Sequence, residues 1–290
     1  MTIDREKLLN WPFQDTVQTY DFKDVILYAL GVGLGADPMD RKQLAYVYEK
    51  NLAVLPSFPV VLGHPGAWNA DPESGIDRKH VVHGEQSVQI HEPFPASATV
   101  RGVNRITDVI DKGEGKGALV YVERKIYNEA TGRLLATLNT TSFCRANGGF
   151  GGPSGPVARP HPLPERQPDH QISLPTLPQS ALLYRLNVDY NPLHVDPDVA
   201  ASAGFKQPIL HGLCTFGVAT HAILQAVCDY DATRLGKIAA RFSSPVYPGE
   251  NIVVDIWHDG EQVSFRASVP ERGVKVLDNG YAQLRSTQHG

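Results

Sequence analysis

Asp189, Asn191 and His194 share one short loop, within the segment DYNPLHVDPDVAASAGFKQPILHGLCTFG that begins at Asp189. A carboxylate and an imidazole held together, in a loop that Pro192 stiffens, can orient and deprotonate a water. Downstream, His211-Gly212-Leu213 opens an apolar helical pattern. The first N–H groups of a helix have no internal partner and lie at the positive end of its dipole, where an oxyanion is stabilised. Gly212 has no side chain to block close approach. A base pair beside an oxyanion site suits chemistry on a thioester carbonyl. Asp-x-Asn-Pro is equally a common turn, in which Asp and Asn bond their own backbone, and a lone His211 is commonly a structural histidine. The residues alone therefore reach an acid–base site near an anion hole and go no further.

The elements that must position this loop are mostly strands. Ala98–Val109, Ala118–Tyr127 and Leu134–Cys144 read as strands in the first half, and Ile238–Pro245, Ile252–His258, Val263–Val269 and Val274–Leu284 in the second. VVDIWH and VSFRASV alternate apolar and polar residues, as half-solvated antiparallel strands do. The turns PFPA at 93–96 and PVYPG at 245–249 stand in corresponding places ahead of a strand, which suggests an internal duplication. Asp24–Leu34 and Arg41–Asn51 read as helices. Gly212–Val227 is the strongest helical signal, with Leu213, Phe216, Thr220, Ile223, Leu224 and Val227 on one stripe. A long apolar helix on an antiparallel sheet is an α+β arrangement. The Gly- and Pro-rich run at 147–168 has no apolar periodicity and reads as a linker, dividing the chain into domains at 1–146 and 169–290.

Composition narrows the class. A chain of 290 residues suits two domains, and 42% hydrophobic with 20% charged residues is typical of a globular protein. The net charge of -4 argues against nucleic acid or an anionic membrane as partner. Three scattered cysteines form neither a disulfide framework nor a zinc site. The N-terminal MTIDREKLLNWPFQD lacks a signal-peptide apolar run, no stretch is long enough to span a membrane, and the final STQHG is not a peroxisomal address. A bacterial cytosol is the expected compartment.

The segment from Asp189 to Gly217 resembles the signature of MaoC-like proteins, specifically the type 2 enoyl-CoA hydratases, whose pattern runs Asp-x-Asn-Pro-Leu/Ile-His and later Pro-Ile-x-His-Gly-Leu. The resemblance extends to YALGVGLGAD at 28–37, LPSFPVVLG at 55–63, HGEQ at 83–86 and ARFSSPVYPGE at 240–250, and so spans nearly the whole chain. It implies a double hotdog fold, two repeats of a long helix against an antiparallel sheet, and (3R)-specific hydration of trans-2-enoyl-CoA in fatty-acyl metabolism. Asp189 and His194 would activate the water that adds to C3, Asn191 would fix the pair or the water, and the Gly212 N–H would hold the thioester oxyanion. By the same comparison His83, Gly84, Lys112, Tyr190, Pro192, Leu193 and Phe242 would contact substrate, with Lys112 near a CoA phosphate. The first half has no copy of the loop, and the resemblance makes it the room for a long or bulky acyl chain. The substrate would be acyl-CoA, with no cofactor and no metal, and the paired units would make a pseudo-dimeric monomer or a homodimer of chains. One departure stands out. The family commonly has Ser-Gly before the Asp, whereas this chain has Asn187-Val188, and a β-branched Val tolerates unusual backbone angles poorly.

Two other signals carry less. Gly31-x-Gly33-x-Gly35 follows a helical pattern and has the wrong spacing for a dinucleotide loop. His80-x-x-His83 reads as strand and no set of ligands completes a metal site around it. The rival functions are a thioesterase on the same fold, which would usually need a carboxylate on the long helix, and a silent acyl-CoA-binding subunit, for which intact Asp189, Asn191 and His194 would be superfluous.

Overall fold

The computed structural model describes residues 2–286, so most of the terminal STQHG lies outside the described residues. Ten antiparallel strands form one sheet: β1 (Thr16–Tyr20), β2 (Val81–Ile90), β3 (Ala98–Asp111), β4 (Ala118–Asn128), β5 (Leu134–Cys144), β6 (His170–Pro175), β7 (Leu235–Phe242), β8 (Asn251–Asp259), β9 (Gln262–Val269) and β10 (Val274–Leu284). Their order is β1-β3-β4-β5-β2-β7-β10-β9-β8-β6. The first five strands and the last five therefore repeat one connectivity, and the equivalent strands β2 and β7 pair with each other at the centre. Ser87 faces Ala239 and Val88 faces Ile238 across this seam, where the Arg241 guanidinium also meets Glu85 at 3.1 Å. The turns at 93–96 and 245–249 precede the equivalent strands β3 and β8, as the duplicated pattern predicts.

The helical layer is unequal. In the second half α6 (Gly212–Val227) lies against the sheet, with Phe216, Ala219, Ala222, Ile223 and Leu224 fully buried. Burying each larger side chain contributes about 1.5–3 kcal/mol. The first half has α2 (Phe22–Gly31), which Asp21 and Asp24 start with a reciprocal capping box. It ends before Gly33 and Gly35, both at positive φ, so the glycine run is a helix exit. The two layers touch where Cys214 Sγ meets the Gly31 carbonyl at 3.3 Å and His221 Nδ1 meets that of Val32 at 3.3 Å. The helix expected over Arg41–Asn51 is only Arg41–Leu44, α3. Beyond it the chain turns so that the Tyr46 hydroxyl donates to the Tyr230 carbonyl at 2.6 Å, a tertiary bond that a continued helix would forgo. Among the described residues the first repeat has only the short turn Phe58–Val61 against its sheet where the second has the sixteen-residue α6.

Sequence patterning missed β1, β2 and β6. The first and last are short edge strands, and β2, with the run HGEQS, lacks an apolar alternation because its polar side chains pair across neighbouring strands, as Glu85 does with Arg241 and Thr141 and Gln86 with Thr140. The glycine-rich segment after β5 is also more ordered than its composition suggests. The Asp111 carboxylate accepts from the backbone N–H groups of Gly113, Gly149 and Gly151 at 2.8 Å each and of Gly152 at 3.3 Å. Further on, the Trp257 indole donates to the Arg166 carbonyl at 2.8 Å, holding the segment to the second half.

Candidate active site

Short helices position the loop. Two of them, α4 (Ser180–Tyr184) and α5 (Pro197–Ser202), flank residues 185–196, and Asp196 caps α5 by accepting from the N–H groups of Asp198 and Val199. Between them, Asp189 Oδ1 accepts from the Asn191 N–H at 3.3 Å and Asn191 Oδ1 accepts from the Leu193 N–H at 3.1 Å. The common turn chemistry of Asp-x-Asn-Pro is therefore present, and it fixes the directions of the Asp189 and Asn191 side chains. Val188, immediately before Asp189, has φ 67 and is 52% exposed. The β-branched residue occupies the left-handed region that glycine favours.

His194 is buried, and its Nδ1 lies 2.8 Å from the Ile209 carbonyl. That carbonyl can only accept, so Nδ1 carries the proton and Nε2 keeps its lone pair. Burial lowers the His194 pKa, although the Ile209 bond and the Asp189 charge pull the other way. The ring is a neutral base at neutral pH. Beneath it His211 stacks at 3.7 Å between centroids and 26° between planes, and Tyr184 packs on His211 at 5.0 Å. The His211 Nε2–H donates to the Asp189 carbonyl at 3.2 Å, tying the loop to the start of α6. Burial, reinforced by the neighbouring His194, pushes the His211 pKa down to about 4. Single side-chain donor atoms of Asp189, His194 and His211 all lie within 4.8 Å of one another, a spacing that admits one water in contact with both the carboxylate and an imidazole.

The candidate anion site lies at the start of α6. His211 is its N-cap residue and no side chain caps the helix, so its leading N–H groups are not taken up by a cap. A Cβ on Gly212 would come 3.1 Å from Phe242 Cε1. Glycine is therefore needed for the Phe242 ring to close over the helix start. The same ring meets His83 at 4.5 Å. His83 lies at an irregularity in the β2–β5 pairing that also takes in Gly84.

Asp189, Asn191, His194 and Gly212 are thus one constellation, with His83, Gly84 and Phe242 beside it. Leu193 is half-buried in the loop, Pro192 is exposed, and Tyr190 is exposed with Arg185 over its ring at 5.3 Å. Lys112 sits on the exposed turn after β3, its Nζ 5.7 Å above the Phe143 ring. Sequence reasoning left His211 as an ordinary structural histidine and passed over Tyr184. The motif names His211, but its stacking on His194 depends on the tertiary fold.

The chain matches two family models: the MFE-2 hydratase 2 N-terminal domain over residues 18–146 and the MaoC like domain over residues 160–280. It is 38% identical to enoyl-CoA hydratase ChsH3 of Mycobacterium tuberculosis, over 97% of this chain and 98% of that protein. It is also 38% identical to peroxisomal enoyl-CoA hydratase 2 of Arabidopsis thaliana, over 96% of this chain and 94% of the relative. The crystal structure of a MaoC-like dehydratase from Phytophthora capsici superposes with a TM-score of 0.87 at 33% identity, covering 98% of this chain and 99% of that one. The repeated sheet, the acid–base loop beside an uncapped helix start and these full-length likenesses agree: the chain belongs to the MaoC-like enoyl-CoA hydratase 2 family, with the double hotdog fold.

Proposed function

We propose that the protein hydrates trans-2-enoyl-CoA to (3R)-3-hydroxyacyl-CoA, reversibly. The observation that carries this reading is the pairing of Asp189 with a neutral, Nε2-basic His194 beside the uncapped start of α6. One water held by the two side chains gives up a proton to the pair as its oxygen bonds C3. The π electrons of the double bond move toward the thioester, and the Gly212 N–H stabilises the resulting oxyanion. The enolate then collapses and C2 takes back the proton on the same face, so that one water has been added in full. His211 acts as a support that fixes the tilt of His194 and the carbonyl of Asp189. Lys112 would meet the CoA portion as a point charge, with Tyr190 and Pro192 as apolar contacts.

The homologous proteins named enoyl-CoA hydratase support this substrate class. Among the described residues no helix is long and apolar enough to cross a membrane, and we place the enzyme in the cytosol. Because β2 and β7 already pair within one chain, we take the unit of function to be a pseudo-dimeric monomer. The test is to follow the enoyl-thioester absorbance of a medium-chain trans-2-enoyl-CoA and resolve the product by chiral chromatography. Only the (3R)-hydroxyacyl-CoA is expected, with full activity after chelator treatment. Free CoA would make the chain a thioesterase. Loss of activity on chelation would assign a cation to Asp189, His194 and His211 instead of a bare water.

A further inference from the structure

The half without the reactive loop is not purely apolar inside. Where the second half has α6 over its sheet, the first half has the backbone of residues 58–63. This segment presses so close to β3 that a Cβ on Gly102 would lie 2.3 Å from the Gly63 oxygen. Beneath it Asn104, Arg124, Leu138 and Val88 face one another across adjacent strands. Asn104 Nδ2 donates to the Gly63 carbonyl at 3.2 Å, and Arg124 Nη2 donates to the Val60 carbonyl at 3.0 Å.

Arg124 is 5% exposed, and its Nη1 has no hydrogen-bond partner; neither has Asn104 Oδ1. Among the described residues no carboxylate is paired with the guanidinium. Burial brings its pKa down to about 10, so it remains charged at neutral pH. A neutral amide would satisfy the Val60 carbonyl equally well, and a buried unpaired charge is a costly substitute for one. A guanidinium presents its donors as a planar fork matched to a carboxylate. The position is also connected to the reactive site. Burial holds the His83 pKa at about 4, the Arg124 charge pushes it the same way and the Asp189 charge opposes it. His83 is therefore within electrostatic reach of both, and it touches the Phe242 ring that closes over Gly212.

We infer that Arg124 Nη1 forms an anion-reading subsite in the first half, and that the substrate class is an enoyl-CoA whose acyl chain carries a carboxylate at its far end. The inference rests on the hydratase reading and adds the identity of the tail. The unpartnered Asn104 Oδ1 marks the surroundings as polar and accepts from a water that accompanies the carboxylate.

The experiment compares kcat/KM for trans-2-enoyl-CoAs of equal length ending in a methyl group, a carboxylate or the methyl ester of that carboxylate, over a range of chain lengths. At the length that reaches Arg124, the carboxylate is expected to exceed the methyl by about 10–100-fold, the worth of one hydrogen bond to a charged group. The ester should fall between. In Arg124→Met the advantage should vanish while hydration of the methyl-ended chain persists. A wild-type enzyme with no carboxylate preference at any length overturns the inference, whether or not the variant folds. A preference that survives in folded Arg124→Met overturns it too. Failure to hydrate any of these substrates would instead remove the hydratase reading on which it rests.

Discussion

Protonation decides what Asp189 and His194 can do. The bond from His194 Nδ1 to Ile209 fixes the tautomer, and burial keeps the ring neutral. The acid limb of the pH–rate profile should therefore lie below the ordinary histidine value of 6.5, with kcat/KM falling as pH drops through it and flat through neutrality. A limb centred above 6.5 would contradict the assignment of a buried neutral base. Asp189→Asn and His194→Ala should each lower kcat by about 10²–10⁴-fold, with melting temperatures near that of the wild type. If both groups act on one water, as proposed, the double variant should lose little more than either single one. These residues were legible because Asp-x-Asn-Pro-x-His is a contiguous string. Arg124 was not, since an arginine in a strand reads as an exposed charge until the covering segment at 58–63 is placed over it.

Two elements set the geometry, the start of α6 and the turn before Asp189. A Cβ at Gly212 would crowd Phe242, so Gly212→Ala should lower kcat by about 10–100-fold through displacement at the anion site. It should hardly change stability, since alanine otherwise favours a helix. Adding Phe242→Leu should restore part of the rate, measured under the same saturating conditions. Val188 is the opposite case. Its φ of 67 strains a β-branched residue, at a cost of order 1–3 kcal/mol. Val188→Gly should raise stability by about 1 kcal/mol after the entropy of the freer unfolded chain is offset, as urea unfolding would report; a drop would mean that the exposed Val side chain is itself needed. The limits of α6 could be read from its apolar stripe alone. Those of α3 could not, because the Tyr46–Tyr230 bond that diverts the chain joins segments far apart in sequence.

At the scale of the whole molecule, acid is the weak point. His83 and His211 are both held at about 4, chiefly by burial, against 6.5 in a solvated chain. The unfolded state therefore binds their protons first. Stability that is fully present above pH 6.5 is lost as pH falls toward 4, by about 1–3 kcal/mol for each imidazole. Urea midpoints should fall over that window, and His211→Gln should flatten the slope. The two-unit architecture was visible in the corresponding turns and strand runs, but the seam was not, because the polar face of β2 hides its pairing with β7. That seam also bears on how the protein can change. In an assembly of two identical chains, any substitution in one binding half appears in the other as well. Here the halves are encoded separately while sharing one sheet, so a residue such as Arg124 can be introduced into one without a second copy of it appearing beside Asp189 and His194 in the other. Covalent continuity frees one half to diversify while the other stays fixed.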